Sequence, residues 1–427
     1  MSVSVLEPAP VVTAVPRADA RPLSRVPQAL VVGGSVLAPL NLLIVASLTV
    51  YDVLIAMALV LLITERRIPL PPRAYAIAAY GFLLAAFFSA FRATYPIEAL
   101  TQILQYFFIF FVQIPVVLVV IRTRRAALAS LALICAGTLV AILHAHMTQQ
   151  TQGAGRVLVF YSENPNRLGY PTAYLLPILI LLWICAWQMS RRRRAVVSAV
   201  MIGSVYLAIW ALAASASRSA TLGAVVALVV FVVLRPGVGA VRMLSRAVGL
   251  AAGVTALVML LSATGQLPTT LEERIQRSFS SDAEDTTHLV ADRENLADAG
   301  MRAFIESPFL GTGLDNFRYV AVDYDLDATP QLPHNLWLQL LVQVGIFGTL
   351  AFAAMLLLWF RDLVRATVRA AHPDRLLLWS LVAAMTGILV IFFFAPELLD
   401  RHYWLIFALG LATVSGVHRP STWEDGR

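Results

Sequence analysis

Four stretches of the chain set polar side chains beside long apolar runs. They are "PHNLW" with His334 and Asn335, "SASRSATLGA" with Arg218, "GRVLVFYSENPNRLGY" with Arg156, Asn164, Asn166 and Arg167, and "ADRENLADA" with Arg293. A guanidinium presents planar donors that match phosphate oxygens two at a time, and an imidazole takes up a proton near neutral pH. Arginines around a pyrophosphate stabilise the charge that develops as it leaves, and a nearby histidine can deprotonate an attacking hydroxyl. The natural ligand of such a set is a phosphate-bearing lipid, and the implied reaction is glycosyl transfer from a lipid pyrophosphate.

Each of these residues also has a plainer role. Pro333 suits the opening of a helix, which would put His334 and Asn335 in a first turn with free N–H groups; a histidine there serves equally as an interfacial anchor. Arg218 lies among Ala214, Ser215, Ala216, Ser217 and Ser219, small residues that permit close helix packing. An arginine so placed is costly near lipid unless it faces a cavity or an anion, although it could also snorkel from a helix end. Arg156 reads as an anion ligand or an exposed loop charge, and Asn164-Pro165-Asn166 as a turn that starts a helix. Arg293 alone reads as a solvated helix charge paired with Glu294 or Asp298. His144 and His146 come without the clustered carboxylates or cysteines of a zinc site. There is no phosphate-binding glycine loop, nucleotide motif, Cys-His or Ser-His signature, so no metal and no cofactor are expected.

The elements that must position these residues are membrane helices. The 427 residues are 59% hydrophobic and 13% charged, with a mean hydropathy of +0.77, too apolar for an ordinary soluble protein of this size. Apolar runs long enough to cross a bilayer fall near 28–43, 45–64, 74–91, 97–121, 126–146, 169–189, 195–214, 219–234, 244–264, 334–360, 375–395 and 402–418. The expectation is an all-α polytopic membrane protein with about twelve transmembrane helices. Its expected segments are a disordered cytoplasmic tail (1–27), spans one to nine (28–264), an exported helical loop (265–333), spans ten to twelve (334–418) and a second cytoplasmic tail (419–427).

All 32 basic residues are arginine, and 22 of them fall on one side if both termini are cytoplasmic. The opposite side receives the segments 144–168, 215–219, 265–333 and 396–403, and with them Arg156, Arg218, Arg293 and His334. The 265–333 loop holds 5 arginines against 13 acidic residues, the reverse of a nucleic-acid-binding surface. Within it, Leu296, Ala299, Gly300, Ala303 and Phe304 recur at roughly helical spacing, and Pro308, Gly311 and Gly313 then mark a tight turn. Cys135 and Cys185 both lie inside expected spans, so no disulfide framework is expected.

The order "NPNRLGY", "SASRSATLGA", "DRENLADAGMRAFIESPFLGTGLDNF" and "HNLWLQLLVQVGIFG" resembles the O-antigen ligase and polymerase superfamily of bacterial inner membranes. The resemblance covers 164–348 and rests chiefly on Pro308-x-x-Gly311-x-Gly313-x-x-x-Phe317, followed by His334-Asn335 and Gly345-x-x-Gly348. It implies a GT-C-like glycosyltransferase of the inner membrane, with its active site facing the periplasm. Such a ligase moves O-antigen from undecaprenyl pyrophosphate onto the lipid A-core without metal or nucleotide sugar. By the same resemblance His334 would activate the acceptor, and Arg218 and Arg293 would bind pyrophosphate together with Arg156. Asn335 and Asn166, which helix-start roles also explain, are further candidate contacts. Membrane lipids are expected partners and nucleic acid is not. O-antigen polymerases and protein O-oligosaccharyltransferases share the pattern. A lipid-linked oligosaccharide transporter is the non-enzyme alternative, opposed by span centres nearly free of charge. A structural scaffold would explain the hydrophobicity but not the exported arginines.

Overall fold

The computed structural model describes residues 24–45, 47–152, 156–234, 239, 241–243, 245–246, 248–249, 253, 284–321, 334–372, 374–395 and 397–417, with side chains from 295 onward in the helix that starts at 284. The expected ninth span (244–264), apart from a few positions, and the N-terminal tail before 24 lie outside these residues, as do 265–283 and 322–333 of the loop.

The described chain is built from helices: α1 (Arg25–Gly34), α2 (Val50–Thr64), α3 (Arg73–Ala90), α4 (Pro96–Val120), α5 (Arg124–Thr148), α6 (Asn166–Ala186), α7 (Arg191–Ser215), α8 (Arg218–Val233), α9 (Glu284–Glu306), α10 (Leu336–Arg369), α11 (Asp374–Phe392) and α12 (Arg401–Val417). Among the described residues seven of these, α3 to α7 with α10 and α11, are long and apolar enough to cross a membrane, while α2 and α8 are shorter apolar helices. The chain is a polytopic membrane protein.

The expected first span, 28–43, is not one continuous helix. α1 ends at Gly34, a 3₁₀ turn follows at Ala38–Leu40, and Asn41 turns left-handed at φ 47° into a small antiparallel hairpin pairing Leu43 with Thr49. Ten residues of α-helix reach only about 15 Å, roughly half the hydrocarbon thickness. Pro39 and Asn41 divide the nearly continuous apolar run, at one of the two places, Pro39-Leu40-Asn41 or Asp52, where the sequence suggests a division. The hairpin keeps Leu43, Ile44 and Val45 exposed. Thr49 and Asp52 then form a reciprocal cap that opens α2.

Aromatic side chains fill the centre. Phe82 of α3 meets Phe110 of α4 and Phe352 of α10, and Trp404 of α12 meets Phe110 with ring centres 5.0 Å apart. Two helices widen into π turns, at Ile109–Gln113 and Val229–Val233. Each sits beside a hydrogen bond to another helix: Gln113 donates to the Arg401 carbonyl at 3.0 Å, and Trp379 of α11 donates to the Val230 carbonyl at 2.9 Å. At the end where α2, α4, α6 and α10 finish, Arg124 lies 3.5 Å from Asp374, and its guanidinium reaches Cys185 Sγ at 3.9 Å. The arginine-rich connections thus meet at one end of the bundle, which leaves the site residues to the other.

Candidate functional site

The turn between α7 and α8 is a tightly constrained segment of that second end. α7 closes on Ala216, which sits at φ 46°, a left-handed conformation unusual for a residue with a Cβ and found where surrounding structure over-determines the backbone. Ser217 then caps α8, its hydroxyl accepting from the Ala220 N–H and paired with the Ser219 hydroxyl at 3.2 Å. Arg218 is therefore the first residue of α8. It is exposed and has no ion pair or side-chain hydrogen bond among the described residues. A cation at the positive end of a helix is disfavoured until an anion joins it, and the dipole and the guanidinium then both attract that anion.

Arg156 holds this turn from outside. Its Nε donates to the Ser215 carbonyl at 2.8 Å and its Nη2 to Asn166 Oδ1 at 2.5 Å. Asn166 is fixed in turn by its N–H, which donates to Asn164 Oδ1 at 3.0 Å. Close packing completes the join, since a Cβ on Gly169 would come within 2.4 Å of Ser215 Oγ. Arg156 and Asn166 are thus brought together with Arg218's turn, in bracing positions that the sequence did not reveal.

The connection between α11 and α12 packs on the same place. Tyr170, Ala173, Ala220, Ile391 and Ala395 form one buried cluster. Arg167 pairs with Glu397 and lies 3.6 Å from Asp400. Arg401 turns into the bundle and pairs with Asp52 at 2.7 Å, with both side chains almost fully buried. Asp400 and Arg401 are therefore each engaged, in two separate ion pairs.

α10 begins at this end as well, because Trp337 meets the ring of Phe393 just beyond α11. Asn335 is its cap: the side-chain oxygen accepts from the N–H groups of Trp337 and Leu338 at 2.9 and 3.1 Å. This corrects the expectation that His334 and Asn335 share the first turn. His334 lies one position before the cap, exposed, and Asn335 occupies two of the N–H groups that an anion would have used.

The loop is fastened to α10. Leu296, Ala299 and Ala303 of α9 share a buried cluster with Phe317, Ala321 and Val342. α10 breaks at Gly345, where φ is 66° and ψ is −175°. The Pro308–Gly313 turn fills the break: Thr312 N–H donates to the Val342 carbonyl at 2.8 Å, Gly313 N–H to Gln343 at 3.0 Å, and Ile346 N–H to the Pro308 carbonyl at 2.9 Å. Any Cβ on Gly345 would sit 2.2 Å from the Phe309 carbonyl oxygen. A second fastening reaches the α3–α4 turn. Asn316 accepts from the Tyr95 N–H at 2.7 Å and donates to its carbonyl at 3.2 Å, and the Tyr319 hydroxyl donates to Glu98. That hydrogen bond raises the Tyr319 pKa above its ordinary value.

Arg293 lies in α9, but its side chain is outside the described residues. His146 and His144 pack against Trp210 and Phe160 respectively. No group of three or more His, Cys, Asp or Glu side chains able to hold a metal ion occurs among the described residues.

A search of the curated proteins found no match. Residues 203–353 match the family model described as O-antigen ligase. The matched stretch runs from α7 through Arg218, Arg293 and the glycine turn to His334 and the Gly345 break. By that match, and in the order of its motifs, the stretch 203–353 of this membrane protein is similar to the O-antigen ligase family.

Proposed function

We propose that the chain is an inner-membrane O-antigen ligase. In this reading it moves polysaccharide from undecaprenyl pyrophosphate onto the lipid A-core at the periplasmic face. The acceptor hydroxyl attacks the anomeric carbon, its proton passes to His334, the bond from that carbon to the pyrophosphate oxygen breaks, and the configuration inverts. Arg218 and Arg293 receive the departing pyrophosphate, and Arg156 with Asn166 keeps the Arg218 turn in place. Asn335 fixes the start of α10 and hence the approach of His334.

The observation that carries this reading is Arg218: an exposed guanidinium at the N-terminus of α8, without a counter-ion among the described residues, on a turn held by a second arginine. A site of this kind favours a dianionic phosphate ligand, and the domain match supplies the class of chemistry. The test is reconstitution of the purified full chain with lipid-linked donor and lipid A-core. A new glycosidic bond that is lost in His334→Ala is the expected result, and full transfer by that variant removes His334 from catalysis. A deletion strain separates ligase from polymerase, since long polymer left on the lipid carrier indicates a ligase and single repeat units a polymerase. Translocation of the donor with no bond formed would instead make the chain a transporter.

A further inference from the structure

We propose that the joint between the Pro308–Gly313 turn and the Gly345 break sets the position of the loop helix α9 against the first turns of α10, making Gly345 and Asn316 positioning residues. A broken helix leaves carbonyls without their own N–H partners, and those of Val342 and Gln343 are taken by Thr312 and Gly313. The exchange is mutual, because Ile346 donates back to Pro308. Thr312 adds a hydroxyl bond to Val342 at 3.2 Å, and Ser307 ties the turn to itself through the Gly311 carbonyl at 2.9 Å.

The fit depends on bare backbone on both partners. A Cβ on Gly311 would lie 2.5 Å from the Gln343 carbonyl carbon, and Gly311 also needs its φ of 72°. From this joint α9 runs back along α10, with Leu338 so close to Gly300 that a Cβ there would come within 3.1 Å of it, and Ala303 in the cluster with Val342. The turn lies beside 342–346 and Gly300 beside 338, so the earlier part of α9 extends toward the end of α10 that His334 opens. Asn316 locks the other side of the turn to Tyr95, which prevents it from rocking in the break. The consequence for catalysis rests on the ligase reading above; the joint itself does not.

Hydrogen exchange on the purified full chain tests it. In Gly345→Ala, exchange is expected to rise at least about tenfold in peptides from 295–317, with α11 and α12 unchanged. Gly348→Ala crowds Val344 and Ala85 without touching the turn, and should leave 295–317 slow. Slow exchange in 295–317 of Gly345→Ala, or an equal rise in Gly348→Ala, overturns the joint. If Gly345→Ala loosens α11 and α12 as well, Asn316→Ala decides: it leaves α10 untouched, should raise exchange in 295–317, and overturns the joint if it does not. In the transfer assay, displacement of about 1 Å predicts a drop of up to about a hundredfold in kcat with the bundle intact. Absence of transfer by the wild-type chain counts against the ligase reading alone, because the exchange measurement needs no substrate.

Discussion

Arg156 Nε reaches the main-chain carbonyl of Ser215 at 2.8 Å, across 59 residues of sequence. That bond fastens a charged side chain of the α5–α6 connection to the last turn of α7, two residues before the cap of α8. Its second prong, on Asn166, joins the start of α6 to the same point. A lysine retains the charge but not the fork. Arg156→Lys is expected to lose about 10- to 100-fold in transfer. It should also lower the melting temperature, because each hydrogen bond from a charged group contributes about 1.5–3 kcal/mol. Thermal unfolding and transfer measured on one preparation check both; wild-type values in each would remove the bracing role.

Arg218 should behave in the opposite sense. An exposed cation in the first turn of a helix opposes the dipole, so Arg218→Ala should leave stability unchanged or raise it by about 0.3–1 kcal/mol. Transfer should nevertheless collapse, and Arg218→Lys should recover only part of it. A lysine variant with full activity would show that a point charge or an anchor suffices there.

Asn335→Ala removes an oxygen that serves two N–H groups, and the expected cost is about 1 kcal/mol, within a range of about 0.5–2. His334 directly precedes that cap, so kcat should fall with it. His334→Ala, by contrast, should reduce transfer with little change in melting temperature. Comparing melting curves of the two variants separates the cap from the base.

The Asp52–Arg401 pair lies deep in the bundle, and removing one member strands the other. Asp52→Ala is expected to destabilise by about 3–5 kcal/mol, read as a large drop in melting temperature in detergent. Asp52 also accepts from the Thr49 N–H, so Asp52→Asn, which keeps the shape and one oxygen, should cost less. Equal melting temperatures for wild type and Asp52→Ala would contradict the burial of the pair.

α8 and α11 touch through backbone. A Cβ on Gly223 would come within 2.8 Å of the Gly387 carbonyl oxygen, and one on Gly387 within 2.7 Å of that of Gly223. Gly387→Ala should force the helices apart at a cost of about 1–3 kcal/mol. Arg218 is carried by α8, so transfer should fall although Gly387 lies outside the site. Unchanged activity would mean that the crossing does not hold the site.

Membrane helices and the turns between them were readable because they depend on local composition: apolar runs, arginine clusters, and Asn164-Pro165-Asn166 as a helix start. The glycine turn and the end of α9 before Ser307 were readable for the same reason. The break at Gly345 was not, since the apolar pattern continues through it and its cause is a turn some thirty residues away. Arg156 as a brace, and the pairing of Arg167 with Glu397 and of Arg401 with Asp52, depend on contacts between distant segments. His334 was placed inside the first turn rather than just before the cap because Pro333 and Asn335 both signal a helix start, and only the hydrogen bonds show which residue caps.

The break in α10 also bears on how the chain is made. Exposed carbonyls in hydrocarbon are prohibitively costly, and here those of Val342 and Gln343 are covered by a segment that lies earlier in the chain. Synthesis therefore supplies the plug before the helix that requires it. A chain lacking 307–313 would deliver α10 with bare carbonyls into the translocation machinery, and the defect would appear as failed insertion rather than as a slow enzyme.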